Sequence, residues 1–147
     1  MLHLPPELQL IMTHKTHLMA SLLFTLVLCG CGGDNVGTVK GRVLLDGEPT
    51  GGFEVHFTST GDGSTALGGA KNGGEFELFR GRGKREIPAG EYKVSLIPTD
   101  LIEGVPLPSK KIAEELKKAE TTPIVKTVNG GGNVIDIEVT SVPGKAK

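Results

Sequence analysis

The sequence predicts an all-β fold, a sandwich of seven short strands with one short helix inserted between strands five and six. Three observations predict it. Beyond position 36, apolar residues recur at every second place, the period of a half-buried strand. Turn signals such as Asp46-Gly47, Asn72-Gly73 and Pro88-Ala89-Gly90 break these runs at short intervals. Glycine makes up 22 of 147 residues, about twice the usual ~7%. A glycine-rich disordered chain would have no reason to keep a period of two.

In strand one, Val39, Gly41, Val43 and Leu45 alternate with Lys40, Arg42 and Leu44. Residues 46–49 turn the chain. In strand two, Phe53, Val55 and Phe57 alternate with Glu54, His56 and Thr58, and 60–63 make the next turn. Strand three, 64–71, puts Ala66, Gly68 and Ala70 on one side, small residues that suit an edge or a close backbone approach. Asn72-Gly73 is a hairpin signal because both residues tolerate positive φ. Phe76 and Leu78 mark strand four, and 80–85 form a basic, glycine-interrupted loop.

In strand five, Tyr92, Val94 and Leu96 alternate with Glu91, Lys93 and Ser95. A loop at 98–108 leads to the predicted helix, 109–119, with Ser109 as N-cap. Ile112 and Leu116 lie four apart and could dock one turn on the sheet. Pro123 ends this excursion. Strand six is 124–128, and 129–132 form a glycine turn. Ile135, Ile137 and Val139 alternate with Asp136, Glu138 and Thr140 in strand seven. The sandwich domain is therefore 37–140, and the tail 141–147 is expected to fray. Four Phe, one Tyr and no Trp follow residue 30, so the core is small and its stability marginal.

The amino-terminal segment has a different composition. Residues 18–29 form an uncharged apolar run. It is too short for a membrane-spanning helix, which needs about 20 residues, but fits the ~7 to 15 of a secretory signal. Pro5, Pro6 and Glu7 are unusual at a signal start, so translation is expected to begin at Met12, leaving Lys15 before the apolar run. Leu28-Cys29-Gly30-Cys31 resembles the bacterial lipobox, in which a large apolar residue and two small ones precede a cysteine. Small residues let the chain lie extended in the signal peptidase, and the free thiol takes a diacylglycerol as a thioether. Cys29 fits less well because Leu28 precedes it. The expectation is a lipoprotein signal peptide at 1–30, a tether at 31–36 and lipid attachment at Cys31. Each buried methylene contributes about 0.8 kcal/mol, and stable anchoring takes two or more chains. Cys31 would be the sole thiol left, which excludes an intrachain disulfide. The localisation expected is the cell membrane or outer membrane of a bacterium, with membrane lipid as the first partner.

Formal charge is −1 for the chain. Loss of Lys15 and Glu7 with the leader leaves it unchanged. Nucleic-acid binding, which wants a basic surface, is not expected. The pairs Lys110-Lys111 and Lys117-Lys118 read as a solvated helix face. His56 is the only histidine beyond the leader, which holds His3, His14 and His17. It falls on the outward side of strand two. Zinc wants three or four ligands and calcium six or more oxygens. Asp34, Asp46 and Asp62 are near one another only in sequence, so no metal or cofactor is expected. His56 with any of several Ser and Asp residues lacks a nucleophile-elbow spacing, so no catalytic residue is assigned. Arg80, Arg82, Lys84 and Arg85 form the one local basic cluster, expected to be a solvated loop but able to take an acidic polymer or phosphate headgroups.

Residues 39–49 (VKGRVLLDGEP), 52–57 (GFEVHF), 73–76 (GGEF) and 87–94 (IPAGEYKV), followed by 123–128 (PIVKTV) and 133–137 (NVIDI), resemble the carboxypeptidase regulatory-like domain of small bacterial lipoproteins. The order of the motifs carries more weight than any one of them. The resemblance covers most of 36–140 and implies a seven-stranded transthyretin-like sandwich. In larger proteins this domain accompanies a catalytic unit, and none accompanies it here. The helix at 109–119 departs from the compact loop the family suggests. Transthyretin-like enzymes that cleave 5-hydroxyisourate use several histidines, an arginine and a carboxy-terminal Tyr-Arg-Gly-Ser motif. With His56 alone and a chain ending VPGKAK, that activity is not expected. The functional expectation is a non-enzymatic, lipid-anchored cell-envelope protein that acts as a structural or protein-interaction module, with an envelope protein or glycan as its partner. The alternative is a module for an envelope glycan or small ligand, and a weaker one is a hydrolase.

Overall fold

The computed structural model describes residues 35–143. Cys31, Met12, Asp34, the leader and residues 144–147 lie outside that range. Twelve strands form among the described residues: β1 (Val36–Leu45), β2 (Glu48–Pro49), β3 (Phe53–Ser59), β4 (Thr65–Gly69), β5 (Glu75–Glu77), β6 (Ile87–Pro88), β7 (Gly90–Pro98), β8 (Lys111–Ile112), β9 (Val125–Val128), β10 (Gly131–Val134), β11 (Ile137–Val139) and β12 (Ser141–Val142). A strand stands in each of the seven expected segments. β2, β6, β8, β10 and β12 are additional short pieces.

Two sheets enclose one core. In the first, β1 is central. Along one side it pairs in parallel with β10 (Lys40 opposite Val134) and then β11 (Val43 opposite Ile137). Along the other side it pairs antiparallel with β6, β5 and β2 in turn. The second sheet is antiparallel throughout, in the order β4-β3-β7-β9. The expected alternation holds: Val39 and Val43 of β1, Phe53, Val55 and Phe57 of β3, and Val94 and Leu96 of β7 are fully buried. Phe57 sits between Phe76 and Tyr92, with ring centroids 6.4 and 6.0 Å away. Each such side chain contributes roughly 1.5–3 kcal/mol by leaving water. The Tyr92 hydroxyl donates to Pro88 O (2.7 Å), tying the start of β7 to β6.

Turn chemistry sets the registers. Asp46 (φ 56°) and Gly47 (φ 83°) make the two-residue mirror-image turn between β1 and β2. At the next predicted hairpin the left-handed residue is Gly74 (φ 75°), one place beyond Asn72-Gly73, so the loop has three residues. Lys71 N donates to Glu75 O and closes it.

Three sequence expectations need correction. The helix expected at 109–119 is a four-residue 3-10 helix, Glu114–Lys117, and Ser109 does not cap it. The residue before it, Ala113, offers no side-chain cap, and Lys118 is already extended. Isolated short helices nucleate poorly, and here the preceding residues do better as a strand: Ile112 pairs with Ser141. Ile112 and Leu116 are both buried in the core, so the docking inferred from their spacing is met by a different backbone. The glycine turn expected at 129–132 is shorter, because Gly131 and Gly132 already pair with β1. Asn133 closes the turn, accepting from Asn129 N and donating to Asn129 O (both 2.9 Å). Finally, Ser141 and Val142, expected to fray, form β12.

Between β10 and β11 the parallel ladder is interrupted beside Gly41. Ile135 N donates to Lys40 O (2.8 Å), while Arg42 N donates to the side-chain Asp136 Oδ1 (2.9 Å). A Cβ on Gly41 would stand 1.8 Å from Ile135 O. Only glycine lets the two backbones approach so closely.

Candidate functional site

The outer face of the first sheet holds a groove of about 420 Å3. Strand alternation builds it. Inward residues of β1 and β5 enter the core, so Lys40, Arg42, Glu75 and Glu77 must point outward. Antiparallel register sets Lys40 opposite Glu77 and Arg42 opposite Glu75. Lys71 from the hairpin and Asp136 from the interrupted ladder complete the six charged walls, with Gly41 and Phe76 between them and Val134 at the rim.

The charges alternate across the sheet. Arg42 lies 3.6 Å from Asp136, and Lys40 lies 3.9 Å from Glu77, which Arg85 also approaches at 3.6 Å. Among the described residues, Lys71 and Glu75 form no ion pair. Pairs this exposed are weak and exchange readily with outside partners. Val134 stands beside them 85% exposed, an apolar contact point on a free strand edge. The lining contains no serine, threonine, cysteine or histidine. The groove can therefore hold a ligand of both charges.

His56 lies on the outward side of β3, as its alternation requires, with Leu67 and Ser95 opposite it on β4 and β7. Its Nε2 is 3.2 Å from Glu54 Oε2, but the two are not aligned for a hydrogen bond, and Nε2 is buried without a hydrogen-bond partner among the described residues. Ser95 is buried too. Neither residue lines the groove. Asp62 is held in its turn by Ser64, whose N and Oγ donate to Oδ1 at 3.0 and 2.8 Å. These bonds, the backbone one foremost, lower its pKa to about 2. Asp46 sits at the other end of the molecule, past the last residue of β1. The structure does not bring the two together, and among the described residues no group of three His, Cys, Asp or Glu could hold a metal.

Arg80 and Lys84 exchange backbone hydrogen bonds (2.7 and 2.9 Å) around Gly81, Arg82 and Gly83. Arg85 lies over the Phe79 ring, 5.8 Å from its centroid. Phe53, Phe57, Phe76 and Tyr92 are buried. Phe79, half-buried beneath Arg85, is the one aromatic ring among the described residues that reaches the surface. Cys31 lies outside the described range.

The groove was missed by sequence reasoning. Its signal was present in Lys40-x-Arg42 and Glu75-x-Glu77, two like-charged outward pairs of opposite sign, but nothing local shows that these segments are neighbours.

No family model matches the sequence, and neither a curated protein nor a solved structure matches it.

Proposed function

We propose that this chain is a bacterial lipoprotein, anchored through acylated Cys31, whose seven-stranded transthyretin-like sandwich of the carboxypeptidase regulatory-like kind binds an envelope protein without catalysing a reaction. The binding part rests on one observation: the groove over β1 and β5 alternates in sign, and among the described residues Lys71 and Glu75 have no ion-pair partner. An extended protein segment carrying both charges would exchange the weak internal pairs for its own and could cover Val134 at the rim. Specificity would come from sign matching, since like charges in the wrong register repel. The burial of Phe53, Phe57, Phe76 and Tyr92, which leaves only the half-buried Phe79 near the surface, speaks for a protein over a glycan. The apolar run at 18–29 and the cysteine that follows it support the anchor.

Two experiments test the two halves separately. Labelling with an alkyne fatty acid should mark the wild type and not Cys31→Ala; equal labelling would sink the anchor. Pull-down from detergent-solubilised envelopes should recover a partner with the wild type that Arg42→Glu loses at unchanged melting temperature. The same partner recovered equally by both proteins would remove the groove from the reading.

A further inference from the structure

The entry of the chain into the fold and the basic loop lie at the same end of the molecule. Val36 opens β1 and pairs with Pro88, Gly37 pairs with Ile87, and Ala89 N donates to Asn35 O (2.8 Å). The loop at 80–86 leads directly into that Ile87. It leaves the first sheet at Leu78, whose N donates to Val39 O (3.0 Å), still near the start of β1. Thr60 N donates to Glu91 O (3.0 Å) at the start of β7, which places the 60–63 turn at this end as well.

We propose that this loop is a membrane-contact surface for anionic lipid headgroups, held against the bilayer by the short tether from Cys31. The inference rests on the lipid anchor proposed above. Three residues separate Cys31 from Asn35, and a fully extended chain spans at most about 3.3–3.6 Å per residue. Asn35 therefore stays within roughly 14 Å of the acylated cysteine. Electrostatic attraction fades over a Debye length of about 8–10 Å, so the tether end is the part of the domain kept closest to the reach of the headgroups. The far end stands a ten-residue strand away, about 33 Å further.

The loop carries the right charge for that position. Within 80–86, four cations meet one carboxylate, Glu86. Arg85 is engaged with Glu77 and Phe79, whereas Arg82 and Lys84 at the tip are exposed and enter no ion pair among the described residues. Asp62 and Glu91 on neighbouring turns offset the charge of the end as a whole, so the contact is made by the loop tip. A lipid anchor joined to a basic patch is a two-signal arrangement, and here the second signal fixes which face looks at the membrane.

The test uses the full chain, processed in a bacterial host, extracted in detergent and reconstituted into phosphatidylcholine vesicles with or without phosphatidylglycerol. Flotation with neutral vesicles reports the anchor, and its failure would remove the anchor, not the charge argument. Trypsin then reports the loop. Cleavage after Arg82 and Lys84 should slow by about fivefold or more on anionic vesicles, and high salt should restore it. Cleavage after Lys110, at the far end, should be equal on both. In Arg82→Asn/Lys84→Gln, cleavage after Arg85 should lose its dependence on phosphatidylglycerol while flotation persists. Equal rates at the loop on both vesicles, or protection that salt does not relieve, would overturn the proposal.

Discussion

Asp46 accepts hydrogen bonds from both the backbone N and the hydroxyl of Ser141, each at 2.8 Å, across 95 positions of sequence. Lys110 Nζ reaches the same carboxylate at 2.7 Å. One turn residue thus fastens β12 and the segment leading to β8 onto the end of β1.

This arrangement predicts an acid-sensitive contact. The Lys110 hydrogen bond above all, then those from Ser141, lowers the Asp46 pKa from 3.8 to about 2. The folded value lies below the unfolded one, so the stabilisation is complete above about pH 4. It is lost as pH falls through about 2. The melting temperature should drop over that window, and Asp46→Asn should flatten part of the drop while lowering the plateau at neutral pH. Asp62 titrates in the same window, so its own variant is the control.

Gly41→Ala should destabilise the domain by about 2–3 kcal/mol or prevent folding. The added Cβ meets main chain at Ile135 and the Phe76 ring tip, and the main chain has nowhere to go without losing the Lys40–Ile135 bond. Urea unfolding measures the loss. Gly81→Ala, with nothing within 4 Å, is the comparison and should change little.

Tyr92→Phe removes one hydrogen bond and leaves the ring on Phe57. The expected loss is about 1 kcal/mol, read by urea unfolding, with faster amide exchange at Ala89, which closes the same corner through Asn35.

Leu116→Ala should cost about 2–4 kcal/mol, because its side chain is buried in the common core despite the brevity of its helix. A residue on a merely solvated excursion would cost less than about 0.5 kcal/mol. Thermal unfolding distinguishes the two.

Arg42→Glu places like charges side by side with Glu75 and Asp136 and should weaken partner binding by about tenfold or more. Arg42→Glu/Asp136→Arg restores the internal pair with its sign reversed. If binding reads the charge order, the double variant should bind the partner no better than Arg42→Glu, as isothermal titration with the captured protein would show.

The faces of the long strands were legible because burial on one side imposes a period of two. Phe53, Val55 and Phe57 point inward for the same reason that His56 points outward. Where a spacing has two solutions, the sequence was ambiguous. Ile112 and Leu116 would share a helix face, but an extended Ile112 followed by a 3-10 helix at Leu116 buries both equally well. Pairings between distant segments were not legible. Val134 opposite Lys40, and Lys40 opposite Glu77, depend on closures that no local pattern encodes, and the groove is made of such pairings.

The parallel pairing of β1 with β11 has a mechanical consequence. The chain enters β1 at one pole, and β11 leaves at the other. Tension between the two ends pulls these neighbouring strands lengthwise past each other. It loads their hydrogen bonds together, where a hairpin would open one bond at a time. Once β12 had peeled from β8, a domain held at Val36 and pulled beyond Val139 would resist as a clamp resists shear.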